Sequence, residues 1–198
     1  AIAREYSDDA VLEVQIIENS QRADVHPLDE ADGFSALLDR GYTLAKIADK
    51  IGRPPAFVAQ RMQLTYLTKP CREAYEAEQI TLGAAMVLAR VPSKLQVDAL
   101  NQLVPQWKRD EGRFDGPISA STARRIVVDR FMLKLATAAF STEDPELFKR
   151  AGACPTCPKR TGNQSELFAD VASTDLCTDP ICFRAKNDAH WKALKKAP

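Results

Sequence analysis

The stretch Thr43–Met62 (TLAKIADKIGRPPAFVAQRM) constrains this chain more than any other. Leu44, Ile47, Ala48 and Ile51 recur at helical spacing before Gly52, and Phe57, Val58 and Met62 do so after it. Thr43 is placed to cap the first helix, its hydroxyl accepting from a backbone N–H that has no helical partner. Gly52 tolerates the positive φ that a sharp turn demands. Pro54 and Pro55 suit the opening of the second helix, where a missing N–H costs nothing. Two short helices crossing tightly need a small residue at their contact, and Ala48 supplies it. Ile47, Ile51, Val58 and Met62 then make a buried wedge. Arg53, Pro55, Ala56, Ala59, Gln60 and Arg61 stay on the exposed side.

The flanking segments extend this into a helical body. Pro27, Asp29 and Glu30 suit a first turn, followed by the stripe Ala31, Phe34, Leu37 and Leu38, with a stop at Gly41. Further helices are expected from Pro70 through Tyr75 and from Thr81 to Ala89. Another starts at Ser93, where Ser93-Lys94-Leu95-Gln96 reads as a capping box, and carries Leu95, Ala99, Leu100, Leu103, Val104 and Trp107. Lys108–Pro117 is a polar, glycine-containing break, the best internal boundary. Ser119 or Ser121 caps a helix through Ile126, Val127 and Phe131, and a last helix is expected over about 183–194. Val11–Ile17 reads as the one strand, which has no partner elsewhere in the chain. The fold class is therefore mainly α: a multi-helix bundle containing a helix-turn-helix, with an N-terminal strand remnant and a small Cys-rich C-terminal segment. The division is 1–25, 26–140 and 141–198.

Two packed helices about a glycine are also a common structural unit, so charge bears on function. Formal net charge is zero, with 27 basic and 27 acidic residues, but it is unevenly spread. Residues 1–40 hold three basic and ten acidic side chains, 41–110 ten and six, and 111–198 fourteen and eleven. A polyanion meets the local field rather than the sum. The basic part begins where the helix-turn-helix begins, which makes double-stranded DNA the expected partner. In such a unit the second helix enters the major groove. Arg53 and Arg61 can read guanine and Gln60 adenine by bidentate hydrogen bonds, with Thr43, Pro55 and Ala56 beside them. Pro54 and Pro55 leave fewer donors for a phosphate at that cap. Arg90, Lys94, Arg124, Arg125 and Arg130 are candidates for phosphate contacts, which add affinity but read no sequence; taken singly, each reads first as a solvated surface charge. No apolar run reaches the roughly 18 residues of a membrane span, so no membrane partner is expected.

The order of these pieces resembles the ParB/KorB family of partition proteins. Ile17-Glu18-Asn19-Ser20-Gln21-Arg22-Ala23-Asp24, then Pro27-Leu28-Asp29-Glu30-Ala31, then the helix-turn-helix carry the likeness. Gln79–Ala85 and Ser119–Arg125 look like later helices of the family. The resemblance covers roughly residues 11–130. It implies a DNA-binding protein of a plasmid or chromosome partition system, reading centromere-like or operator DNA and in some members repressing transcription. It implies a dimer on DNA, a ParA-type Walker ATPase as partner, and a cytoplasmic, nucleoid- or plasmid-associated location. Glu18, Asn19, Gln21 and Arg22 match part of the family's CTP-binding motifs, but the preceding Arg-rich motif is absent. CTP binding is thus expected only in a fuller form, and this chain is not expected to be an enzyme. Gly83-Ala84-Ala85-Met86 departs from the family's Gly-His-Ala-Arg, so contacts made by that His and Arg in relatives are not available here.

Four of the five cysteines group as Cys154-Pro155-Thr156-Cys157 and Cys177-Thr178-Asp179-Pro180-Ile181-Cys182, nineteen residues apart. Two close pairs at such a separation suit a structural, tetrahedral Zn2+ site. Disulfides and free thiols are the competing readings, the former disfavoured in a reducing compartment. Cys71, alone on a helix, reads as core. Two other function classes stay open. One is a ParB-like nuclease, which would need clustered carboxylates or a His or Lys base, and only His26 and His190 exist. The other is a protein-interaction adaptor using the Cys-rich segment.

Overall fold

The computed structural model describes residues 14–19, 22, 25–112, 116–164, 168 and 171–196, and among these the chain is mainly helical. In chain order the helices are α1 (14–19), α2 (Pro27–Asp39), α3 (Leu44–Ile51), α4 (Pro55–Met62), α5 (Lys69–Glu76), α6 (Leu82–Ala89), α7 (Ser93–Leu103), α8 (Gln106–Asp110), α9 (Ala120–Phe131) and α10 (Pro180–Lys196). A 3-10 turn, Gln63–Tyr66, links α4 to α5. The two short strands β1 (Leu133–Lys134) and β2 (Leu176–Cys177) pair antiparallel, Leu133 opposite Cys177.

The strand expected at 11–17 is not what forms. Residues 14–19 are helical, and 11–13 lie outside the described residues. Val14, Ile16 and Ile17 suit a strand only if another strand takes up their backbone groups; a helix satisfies those groups internally. Ile16 instead packs on α2, where a Cβ on Gly33 would lie 3.4 Å from its Cγ2.

Two apolar cores share α2. One face contributes Phe34 and Leu37 to Ile47, Ala48, Ile51 and Val58, all buried. The other contributes Leu28 and Ala31 to a larger core with Leu64, Leu67, Cys71, Ala74, Ala84, Leu88, Leu100, Ala123 and Val127. Burial pushes the Cys71 thiol above its ordinary value, which keeps it a neutral core group. Helix α6 runs through the middle of this core, and its small residues permit close approach: Gly83 sits so near α9 that an added Cβ would be 2.6 Å from the Ala120 Cβ. A parallel bridge Ile80↔Ile118 locks the same junction, with Thr81 N donating to Ile118 O at 3.0 Å and Ile118 N to Gln79 O at 3.0 Å. This pairing ties the segment before α6 to the segment before α9.

Local capping signals hold where their bonds are local. Thr43 Oγ1 accepts from Lys46 N at 3.2 Å, and Ser119 Oγ from Thr122 N at 3.3 Å. The capping box at Ser93 does not form: α7 follows Pro92 without a side-chain cap. Gln96 is 1% exposed. Its Nε2 donates to Tyr66 O at 2.9 Å and Val91 O at 3.1 Å, and its Oε1 accepts from Thr68 N at 2.7 Å. The amide thus serves two backbone groups in the turn between α4 and α5 and a third just after α6. Trp107 is not on the α7 face either. The helix stops at Leu103, Pro105 leads into α8, and Trp107 is 54% exposed.

Residues 133–140, assigned with the helical domain above, pack with the Cys-rich segment. Leu135 and Phe140 share a core with Cys154 and Cys177, and the Phe140 and Phe183 rings meet edge to face at 5.1 Å. The last helix begins three residues earlier than expected because Asp179 caps it, its Oδ1 accepting from Ile181 N and Cys182 N at 3.1 and 3.0 Å.

Candidate nucleic-acid interface

Helices α3 and α4 form a helix-turn-helix whose turn is set by backbone needs. Gly52 adopts φ +65°, ψ 33°, and its N–H bonds back to the Ala48 and Asp49 carbonyls. Arg53 N reaches Ala48 O at 3.0 Å. This left-handed stop satisfies carbonyls at the end of α3. A Cβ on Gly52 would meet nothing within 4 Å, so glycine is required by conformation rather than space. Phe34 and Leu37 of α2 complete the wedge of Ile47, Ala48, Ile51 and Val58.

That packing turns one face of the unit outward. Thr43, Leu44, Ala45 and Lys46 at the start of α3 are exposed, as are Arg53, Pro55, Ala56 and Gln60 in and before α4. Ala59 is half-buried. Helix α4 opens on Pro54 and Pro55 with no side-chain cap. The Phe57 ring lies under the Arg53 guanidinium at 5.4 Å and the Arg61 guanidinium at 4.9 Å.

Arg61 is the exception among the expected reading residues. Its Nε lies 2.7 Å from Glu30 Oε2, and the two side chains are only 12% and 11% exposed. It ties α4 to α2 instead of projecting outward. Nothing near either residue in sequence signals this pair, because the partners sit in separate helices. Arg72 and Asp32 make a second tie to α2, through two guanidinium–carboxylate contacts.

The phosphate candidates are spread over other elements. Arg90 ends α6, half-buried, with its guanidinium 5.5 Å from the Phe168 ring. Lys94 is exposed in the first turn of α7. Arg124 is half-buried and Arg125 exposed on α9, which packs against α6 and α7. Of the residues matched to the nucleotide motif, Glu18 and Asn19 end α1, Asn19 O accepts from Arg22 N at 2.9 Å, and Gln21 lies outside the described residues. The cavity beside Asn19, lined by Ile16, Asp29, Glu30 and Phe34 among others, is about 50 Å3. Ligand pockets for small molecules run to roughly 300 Å3 and more.

The Cys-rich segment brings its two halves together by backbone pairing. Cys154 and Cys157 bracket a turn closed by Cys157 N to Cys154 O at 3.1 Å. Arg160 bridges to Cys177, and Thr178 N donates to Lys159 O at 3.0 Å. Backbone N–H groups point at two sulfurs: Lys159 N is 3.5 Å from Cys157 Sγ and Asp179 N 3.4 Å from Cys177 Sγ. Burial pushes the Cys177 thiol up to about 11 and raises that of Cys182 as well. Burial works against charge on Asp179, but the Lys159 ammonium and the Cys182 and Ile181 N–H groups hold its carboxyl below the usual range. Among the described residues, no three His, Cys, Asp or Glu side chains are gathered to hold a metal ion as they stand.

Residues 23–107 match the family described as the ParB HTH domain. The chain is 32% identical over 104 residues to the chromosome-partitioning protein Spo0J of Thermus thermophilus, covering 52% of this chain and 39% of that protein. It is 33% identical over 101 residues to a chromosome-partitioning ParB of Chlamydia pneumoniae, covering 50% and 35%. The chain thus spans well under half the length of these relatives. Among solved structures it is similar to the C-terminally truncated chromosome-partitioning protein ParB of Caulobacter crescentus, complexed to the centromeric parS site. There the TM-score is 0.51 and the identity 29%, over 65% of this chain and 63% of that one. No helix among the described residues is long and apolar enough to cross a membrane. The glycine turn and the α2-backed wedge thus lie within the residues, 23–107, that match the ParB HTH domain.

Proposed function

We propose that this chain binds a centromere-like DNA site sequence-specifically in a chromosome or plasmid partition system, with α4 lying in the major groove. The observation that carries this reading is the outward face of α3–α4 within a domain of ParB type, together with the likeness to a ParB complexed to its parS site. Arg53 and Gln60 read base edges, because they are the long polar donors that stay exposed before and on α4. Thr43, Pro55 and Ala56 shape the contact surface at the helix starts. Lys94 and Arg125, with Arg90 and Arg124 behind them, take phosphates. Two copies occupy a palindromic site, and a ParA-type Walker ATPase is the partner that moves the complex. Repression of a neighbouring promoter follows from the same binding where the site overlaps one.

The test is a fluorescence-anisotropy titration at fixed salt with a palindromic duplex from the source replicon and a scrambled duplex of equal length. The palindrome is expected to bind at least ~10^3-fold more tightly. Equal affinity for both duplexes refutes the reading.

A further inference from the structure

We propose that Cys154, Cys157, Cys177 and Cys182 bind one Zn2+ as a tetrathiolate, and that the buried Lys186 is the counter-charge built into that site. Zinc is favoured by the donor set: four sulfurs and no exchangeable fifth ligand make a closed, structural centre.

The first support is the backbone. The two cysteine pairs come from turns that the Arg160↔Cys177 bridge and the Thr178 N to Lys159 O bond set side by side. Cys157 and Cys182 line one groove, while Cys154 and Cys177 belong to one buried cluster. The N–H groups of Lys159 and Asp179 already point at sulfur, and such donors stabilise a thiolate more than a thiol. As they stand the four sulfurs are not gathered on one point, so metal binding requires them to converge.

Lys186 is the second and independent support. It is 2% exposed, on α10 one turn beyond Cys182. Its Nζ donates to Gly152 O at 2.7 Å and to Cys154 Sγ at 3.1 Å, and lies 5.7 Å from the Phe140 ring centroid. None of these partners is a carboxylate. A buried ammonium without an anion is costly. When Zn2+ replaces the four thiol protons, which leave to solvent, the resulting centre carries two negative charges. The Lys186 ammonium then hydrogen-bonds a thiolate and offsets one of them.

The experiment uses the full chain, purified under reducing conditions and dialysed against excess Zn2+ and then against metal-free buffer. Elemental analysis is expected to find one zinc per chain, and Co2+ in its place is expected to show the intense ligand-field bands of tetrahedral thiolate coordination. Each of C154S, C157S, C177S and C182S should lose the metal or its tetrathiolate spectrum. Lys186→Met should weaken Zn2+ affinity about ten- to a hundredfold in competition with a chelator, and Lys186→Arg should restore most of it. Less than a tenth of an equivalent of zinc on a wild-type chain whose thiols all react with a thiol reagent overturns the proposal. A mass showing intact disulfides, or a Co2+ spectrum without thiolate bands, overturns it too. Lys186→Met binding zinc as tightly as wild type removes the role of Lys186.

Discussion

Arg61 and Glu30 bind the second helix of the helix-turn-helix to the helix that precedes it, Nε to Oε2 at 2.7 Å with both side chains largely buried. The orientation of α4 therefore depends on a residue that faces away from the reading surface. Removing one partner leaves the other charge desolvated. Glu30→Gln is expected to cost about 3 kcal/mol in urea unfolding. The double variant Glu30→Met, Arg61→Met should recover most of that loss and retain specific DNA binding. A direct base contact by Arg61 would instead make the double variant lose specificity while staying folded.

The Gly83–Ala120 approach sets how closely α6 and α9 pack. Gly83→Ala places a methyl at 2.6 Å from the Ala120 Cβ, so the helices must separate. The expected destabilisation is about 2 kcal/mol. Ala120→Gly in the same chain should relieve it in part, less about 1 kcal/mol for glycine in a helix. Additive losses in this cycle, measured by thermal unfolding, would show that the two positions do not touch.

Gln96 satisfies three backbone groups in the turn between α4 and α5 and after α6. Gln96→Leu fills the volume but leaves those groups without their partner, at an expected cost of about 3 kcal/mol. Hydrogen exchange should report where: the Thr68 amide loses protection first, and amides in the middle of α9 last.

Reading and phosphate contacts separate by their salt dependence. Arg53→Ala and Gln60→Ala should each lower affinity for the palindromic duplex by about 1–3 kcal/mol while leaving binding to scrambled DNA nearly unchanged. Arg125→Ala should weaken both duplexes alike and reduce the slope of log K against log salt by about 1. Anisotropy titrations over a salt series distinguish the two patterns.

The helix order, the glycine turn and the cap residues Thr43 and Ser119 were legible because their determinants are local. An N-cap bond spans three residues, and an apolar stripe repeats every three or four. The charge change between residues 1–40 and 41–110 was equally plain in the chain, and so was the grouping of cysteines into four and one.

Contacts between distant segments were not legible. Arg61 has an exposed helical position by periodicity, yet Glu30 claims it. Gln96 fits a capping box, yet a turn 28 residues away takes its amide. Val14, Ile16 and Ile17 suit either a strand or a helix, and a packing site on α2 decides between them. Lys186 reads as one more surface lysine of a terminal helix, but the fold buries it beside Cys154. Sequence by itself determined the helices α2 to α7 and α9 and which face of α3–α4 is apolar, since both follow from chemistry within a few residues. Only the tertiary structure decided which charged and polar groups remain free to meet DNA, because that depends on partners brought together from separate helices.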